Sequence, residues 1–155
     1  MHGDTRDHNF QRAGALSNTH VGRAFEASAK AVLAASGIVV RPRYKLPLGV
    51  AAHRKDHEFD LGSDSPKVIV ECKSRRWTEG GNMPSAKVTV WNEAMFYFSL
   101  APADYRKIMF VLRDFHAKRQ LTLAEYYLKR HPHLVPAGVE FWEYDESTDG
   151  VKQLI

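Results

Sequence analysis

The chain has 155 residues, of which 44% are hydrophobic and 11% aromatic, and it carries 22 Lys and Arg against 18 Asp and Glu. This composition is typical of a globular domain and excludes a disordered protein. No apolar run approaches the roughly 20 residues of a membrane-spanning helix, and the polar N-terminus shows no secretory signal, so we expect a cytoplasmic protein. The single cysteine, Cys72, excludes a disulfide framework and a cysteine-based zinc site.

The N-terminal third predicts an arm, a helix and an edge strand. Residues 1–17 lack periodicity and are expected to form a flexible arm, followed by a single domain over residues 18–155. A helix is predicted from about residue 18, because apolar residues recur at helical spacing, and Gly37 suits the position after its end. Glu26 lies at the margin of the apolar stripe. Residues 38–50 contain two prolines, which predicts an edge strand or a bent strand.

The middle of the chain predicts a β-hairpin. Residues 58–61 alternate charged and apolar side chains, so Phe59 and Leu61 are expected to point together into the core. Residues 62–66 have the composition of a turn. The β-branched run at 67–72 is the strongest strand signal in the sequence.

Charged side chains of this hairpin form a candidate metal site. Asp60 and Glu71 are placed to be cross-strand neighbours, with Cβ atoms about 5 Å apart. Two carboxylates that close suit a hard divalent cation such as Mg²⁺, and Lys73 projects toward the same place, where it would hold or polarise a metal-bound water. Charges on one face of a hairpin are usually only solvated. The apolar flanks of Glu71 argue instead for a partnered or functional carboxylate.

A polar loop, two helices and two strands are predicted after the hairpin. In the loop at 74–82, Trp77 either stacks on a nucleic-acid base or packs back on the core. Residues 88–90 are compatible with a helix or a short strand. The further elements are a helix from about residue 84, a buried strand at 107–112, a helix at 121–130 and a last strand at 139–144.

Basic side chains precede and follow the hairpin. A basic patch is often only solvated, but beside a metal site it is expected to track phosphates. The predicted nucleic-acid contacts are Arg54, Lys55, Arg75, Arg76, Trp77 and Lys87. His53 and His57 are expected to be exposed loop residues without a catalytic role.

The segments Glu-Phe-Asp-Leu at 58–61 and Val-Ile-Val-Glu-Cys-Lys at 68–73 resemble the PD-(D/E)xK nuclease superfamily, although Phe59 stands where the motif is named for Pro. The resemblance implies a three-layer, restriction-endonuclease-like α/β sandwich, with a central mixed sheet flanked by helices. It also implies a Mg²⁺ cofactor, replaceable by Mn²⁺. The implied metal ligands are Asp60, Glu71, the backbone carbonyl of Cys72 and Glu26, with Lys73 orienting the attacking water.

These observations predict a divalent-metal-dependent endonuclease that hydrolyses DNA and leaves a 5′-phosphate. The leading alternative is a nucleic-acid-binding module of the same fold that does not cleave. A third possibility is a nuclease subunit of a larger complex. Because the chain is close to the minimum length for this fold, a homodimer is also expected.

Overall fold

The computed structural model describes residues 18–155, except for the side chain of Lys87. Within this range the elements in chain order are α1 (Asn18–Ala35), β1 (Arg41–Leu48), β2 (Lys55–Asp64), β3 (Lys67–Lys73), α2 (Ser85–Leu100), β4 (Arg106–Leu112), β5 (Phe115–His116), β6 (Leu121–Thr122), α3 (Leu123–Arg130), a 3₁₀ turn (Pro132–Leu134), β7 (Val139–Asp145) and β8 (Gly150–Gln153). None of the described helices is long and apolar enough to cross a membrane. The predicted N-terminal arm, residues 1–17, lies outside the described residues.

Six strands form a mixed sheet in the order β1-β2-β3-β4-β7-β8. The pairs β3–β4 and β4–β7 are parallel, and the other three pairs are antiparallel. The strands β5 and β6 form a separate two-stranded hairpin. The predicted α/β class with a mixed central sheet is therefore confirmed.

Helices cover both faces of the sheet and bury two separate cores. Helix α1 buries Phe25, Ala29 and Leu33 against one face, where they pack with alternate residues of β3 such as Val68 and Val70. Helices α2 and α3 cover the opposite face, whose core contains the remaining alternate residues of the same strands. That core includes Ile69, Trp91, Met95, Phe98, Met109, Tyr127 and Phe141. The result is a three-layer arrangement, because each strand of the sheet interior has an apolar side chain on both faces.

The first strand is an edge strand, as its prolines predict. Pro42 and Pro47 both lie within β1, which pairs with β2 on one side only. Proline has no N–H to donate to a ladder, so it is tolerated where a strand has a single neighbour. Helix α1 also ends as expected, with Gly37 at a φ of +81° just beyond it.

The predicted alternation of residues 58–61 is wrong. Phe59 and Leu61 are both buried, but Phe59 packs in the core under α2 and Leu61 in the core under α1. Residues two apart on a regular strand share a face, so β2 changes face at Asp60. The neighbouring strand is irregular at the same level, where Arg43 has a left-handed φ of 57°. This irregularity moves Asp60 off the plain alternation on which the prediction depended.

Several predicted boundaries also shift. Gly62 and Ser63 belong to β2, so the turn is confined to the two residues between β2 and β3. Residues 88–90 are helical, within α2. Helix α3 begins at Leu123 because the Thr122 side chain accepts the N–H of Glu125 as an N-cap. The strand expected to be last, β7, is followed by β8.

Candidate active site

Asp60, Glu71 and Lys73 line one cavity of about 200 Å³, here called the central cavity. It lies between β2, β3 and α2, and its other lining residues are His57, Glu58, Val90, Glu93, Ala94 and Tyr97. The sheet explains the grouping. The backbone pair Leu61–Val70 ends the β2–β3 ladder, so Asp60 and Glu71 are the next residue on each strand. Lys73, two residues beyond Glu71, shares its face.

Glu71 is a buried carboxylate with a partner for each oxygen. Only 5% of the residue is exposed. Its Oε1 lies 3.1 Å from His57 Nε2, and its Oε2 accepts a hydrogen bond from Lys73 Nζ at 3.0 Å. Burial raises the pKa of Glu71, but the hydrogen bond with His57 and the Lys73 charge outweigh it, so the pKa lies below its ordinary value. Glu71 is therefore ionised at neutral pH.

Lys73 carries the matching positive charge. Burial lowers the pKa of its ammonium group, yet the charges of Glu71 and Asp60 outweigh that cost and hold the pKa above its ordinary value. Since 18% of its side chain is exposed, the ammonium group is shielded but not sealed. Lys73 therefore stays protonated at neutral pH and is suited to stabilise negative charge, not to accept a proton.

Asp60 is held from the neighbouring strand. Its Oδ2 accepts the backbone N–H of Cys72 at 2.7 Å. Burial and the charge of Glu71 raise the pKa of Asp60 to about 7, against the opposing effects of Lys73 and the Cys72 N–H. Asp60 is therefore partly protonated near neutral pH. A divalent cation at this carboxylate would displace the proton and relieve the repulsion from Glu71.

Glu26 lies beside Asp60 but in an adjoining cavity. This α1 cavity, of about 400 Å³, is lined by Thr19, Gly22, Arg23, Glu26, Arg43, Glu58 and Asp60. Burial raises the pKa of Glu26, while the charges of Lys73 and Arg23 oppose the shift. Asp60 and Glu58 line both cavities, so they connect Glu26 to the central cavity. Glu26 is thus next to Asp60, and Glu71 does not line its cavity.

The oxygen donors at this site suit a hard cation. In a β-strand the N–H and C=O of one residue point toward the same neighbour, so the Cys72 carbonyl faces the strand of Asp60 as its N–H does. Two carboxylates and one carbonyl are the oxygen ligands that Mg²⁺ takes, with waters completing its shell. Among residues 18–155, no three His, Cys, Asp or Glu side chains stand together as a metal-binding group. The donor set here contains only two such side chains around the central cavity, plus the carbonyl.

Three lining residues were missed or dismissed at the level of sequence. His57 is not in a loop but on β2, where its ring stacks on Tyr97 at 3.6 Å between centroids and contacts Glu71. Glu58 lines both cavities, and Glu93 enters the central cavity from α2. The position of His57 two residues before Phe59, on the α2 side of the strand, was the signal available. Glu93 gave none, because helix α2 reaches the site only through tertiary packing.

The predicted nucleic-acid contacts lie outside the central cavity. Arg54 and Lys55 are exposed before and at the start of β2, and Arg75 is half-buried. Arg76 pairs with Glu146, which offsets its charge. The side chain of Lys87 lies outside the described residues. Contacts of these side chains with nucleic acid stay a prediction.

Trp77 packs against the protein, as one of its two interpretations holds. Its backbone N–H and its indole Nε1 donate to Oδ2 and the carbonyl oxygen of Asp114, at 2.7 and 2.9 Å. Its ring contacts Tyr126 edge-on at 5.2 Å and His116 at 5.4 Å between centroids. These contacts fix the loop after β3 against the β5–β6 hairpin and α3. A contact between Trp77 and a base stays a prediction.

Comparison with known proteins gives the chain no family. No family model, curated protein or solved structure matches it. The chemistry of the site is therefore inferred from its own residues: two coupled carboxylates, a protonated lysine and a strand carbonyl around one cavity.

Proposed function

We propose that this protein is a Mg²⁺- or Mn²⁺-dependent nuclease that hydrolyses DNA phosphodiester bonds, and that its sandwich is of the restriction-endonuclease-like type. The observation that carries the proposal is the meeting of Asp60, Glu71 and Lys73 in one cavity. Two coupled carboxylates supply a cation site, and a protonated lysine supplies a fixed positive charge. A site that only stabilised the fold would have no need of an open cavity around this combination.

Asp60, Glu71 and the Cys72 carbonyl would hold the metal, with Glu26 reaching it from α1 directly or through water. A bound divalent cation would polarise the phosphate and lower the pKa of a bound water. Because Asp60 gains a proton in its absence, cation binding and proton release are coupled at this residue. Its N–H contact with Cys72 fixes Oδ2, so Oδ1 is the oxygen left to face the cavity.

Lys73 acts on the reacting phosphate through its charge. Its Nζ is fixed 3.0 Å from Glu71, and the carboxylates keep it protonated. A preorganised ammonium group stabilises the extra negative charge that develops on a phosphate under attack, and it needs no reorganisation at that moment. The His57 ring, stacked on Tyr97, holds the other oxygen of Glu71. His57 is thus a positioning residue for Glu71.

A non-catalytic nucleic-acid-binding module is the second candidate, and one observation favours it. Both oxygens of Glu71 already have partners, His57 and Lys73. A fully paired carboxylate is what a structural ion pair requires, and metal binding must share it. The raised pKa of Asp60 distinguishes the candidates, because a stabilising network does not need an uncompensated carboxylate.

The experiment is a nicking assay on supercoiled plasmid with Mg²⁺, Mn²⁺ or EDTA, repeated on single-stranded, branched and linear duplex DNA. The proposal expects cleavage that requires the metal and leaves 5′-phosphate ends. Metal-independent retention of DNA without any cleavage of this panel would identify the binding module instead. Cleavage that appears only with an added partner protein would identify a subunit of a larger complex.

A further inference from the structure

A basic cleft lies beyond the loop that follows β3. It has a volume of about 410 Å³ and is formed by the β5–β6 hairpin and α3. Its lining residues are Arg119, Leu121, Tyr126, Lys129 and Arg130. Three of the five carry positive charge, and none carries negative charge. The cleft therefore presents a concentrated positive field with an aromatic side chain at its wall.

The cations of the basic cleft are not offset by carboxylates. Within residues 18–155, no carboxylate lies within 4.0 Å of Arg119, Lys129 or Arg130. Glu125, one turn before Lys129, is placed for the usual i,i+4 ion pair. Its carboxylate instead accepts the backbone N–H of Thr122 at 2.8 Å, in the capping box that begins α3. The helix cap thereby leaves Lys129 without its natural partner.

A purely structural role explains only part of this cluster. Cations in the last turn of a helix are stabilised by the helix dipole, which accounts for Lys129 and Arg130. It does not account for Arg119, which enters from the hairpin. Arg119 lies over the rings of both Trp77 and Tyr126, at 5.2 and 5.1 Å from their centroids. Stacking leaves the guanidinium charged and its edge available, whereas an ion pair would offset it.

The loop connects the basic cleft to the central cavity. Trp77 is four residues after Lys73, which limits their separation to about 14 Å. Its ring then contacts Tyr126, and Arg119 Nε donates to the carbonyl oxygen of Gly81 at 3.0 Å, so the cleft is fastened to both ends of the loop. Helix α3 and the central cavity also share one face of the sheet, because Tyr127 packs in the core under α2. One extended ligand on this face can reach both places.

We propose that the basic cleft binds the sugar-phosphate backbone of the DNA substrate on one side of the bond cleaved in the central cavity. This assignment rests on the proposed nuclease function. With a separation of roughly 20 Å and an axial rise of 3.4 Å per base pair, the cleft meets phosphates about six base pairs from the cleavage site. Backbone contacts of this kind fix position and orientation without reading sequence.

The test measures binding without cleavage. Fluorescence anisotropy with a labelled 24-base-pair duplex in EDTA, at 50 to 300 mM salt, compares the wild type with the double variant Lys129→Gln/Arg130→Gln. Loss of two phosphate contacts should lower the slope of log K against log salt by about 1.8 and weaken binding at least about tenfold at 100 mM salt. The matched control is Lys30→Gln/Lys152→Gln, which removes two exposed lysines from α1 and β8. It should bind like the wild type after correction for net charge.

The outcomes separate this inference from the proposed function. Equal losses in both double variants, or no loss in either, would overturn the cleft assignment while leaving plasmid cleavage by the wild type untouched. Wild-type binding to poly-glutamate or to anionic vesicles in preference to the duplex would overturn it as well, and would assign the cleft to an acidic protein or to a membrane surface. Thermal melting of each variant verifies that the fold is kept.

Discussion

The Asp60 carboxylate on β2 accepts the backbone N–H of Cys72 on β3 at 2.7 Å. A side chain of one strand is thus fixed by the main chain of the next, beside the two charged residues that flank Cys72. This bond places Asp60 at the central cavity although β2 changes face at that residue. The hydrogen-bonded oxygen does not depend on any other side chain, so single substitutions elsewhere in the site should leave Asp60 in place.

Lys73→Ala should reduce metal-dependent nicking by about 100-fold or more, because it removes the fixed charge that faces the phosphate. The variant should still fold, with a loss of about 1–3 kcal/mol in the free energy of unfolding from the broken contact with Glu71. Plasmid nicking and thermal melting measure the two effects. Lys67→Ala is the matched control, since Lys67 is on the same strand but exposed and paired with Asp104. Full activity of Lys73→Ala would remove Lys73 from the site.

Asp60→Asn should weaken Mn²⁺ binding at least about tenfold, because the amide keeps the shape but loses the charge that holds the cation. The amide oxygen can still accept the Cys72 N–H, so the fold should be retained. Isothermal titration calorimetry with Mn²⁺ measures the loss. Asp64→Asn, on the exposed end of the same strand, should bind Mn²⁺ as the wild type does. Unchanged affinity in Asp60→Asn would exclude this residue as a ligand.

Metal binding should strengthen as pH rises through 7. With a pKa of about 7, roughly a tenth of Asp60 is ionised at pH 6 and roughly nine-tenths at pH 8, so Mn²⁺ affinity should increase about tenfold over that interval. Glu71→Gln should move the pKa of Asp60 downward, because it removes the second-largest cause of the shift. A carbon-13 NMR titration of the Asp60 carboxyl group measures the pKa directly. A midpoint near 4 in the wild type would contradict the geometry.

The same pKa shift gives a stability profile of definite sign. The pKa of Asp60 rises from 3.8 to about 7 on folding, so between these values the folded chain holds more protons than the unfolded chain. The Asp60 contribution to the free energy of unfolding is therefore fully present below about pH 4 and is lost as pH rises to about 7. Asp60→Asn should flatten this part of the wild-type profile, measured by urea unfolding at pH 5 and pH 8.

Gly62→Ala should lower the free energy of unfolding by about 1–3 kcal/mol. A Cβ atom at this position would lie 2.3 Å from Cγ and 2.6 Å from Cδ1 of the Tyr44 ring, and that ring is buried. Gly22→Ala is the control, because a Cβ there meets nothing within 4 Å and alanine favours a helix. Urea unfolding of both variants should give opposite signs. Equal, small effects would show that the Tyr44 ring can move aside.

The parts of the fold that could be predicted are those with a strong local pattern. The β-branched run of β3 and the periodic stripe of α1 announce their own structure. The strand β8 could not be predicted, because all four of its residues are exposed and no hydrophobic alternation marks it. The change of face at Asp60 could not be predicted either. It coincides with the left-handed backbone of Arg43 on another strand, 17 positions earlier in the sequence.

The candidate site divides in the same way. The grouping of Asp60, Glu71 and Lys73 follows from hairpin geometry and was predicted from sequence. The partnership of His57 with Glu71 depends on a third neighbour, the Tyr97 ring of α2, which holds the imidazole by stacking. A contact that needs three elements has no signature in any one segment. For this reason His57 had the sequence signal of a loop residue.

The prolines of β1 determine how copies of this protein can meet. An open sheet edge invites another chain to extend the ladder, and two of the eight residues of β1 have no N–H to offer it. Arg41, Arg43 and Lys45 add positive charge along the same strand, which would repel an identical strand laid beside it. Runaway strand-to-strand polymerisation is therefore discouraged at this edge. The expected homodimer would form through helical or loop surfaces.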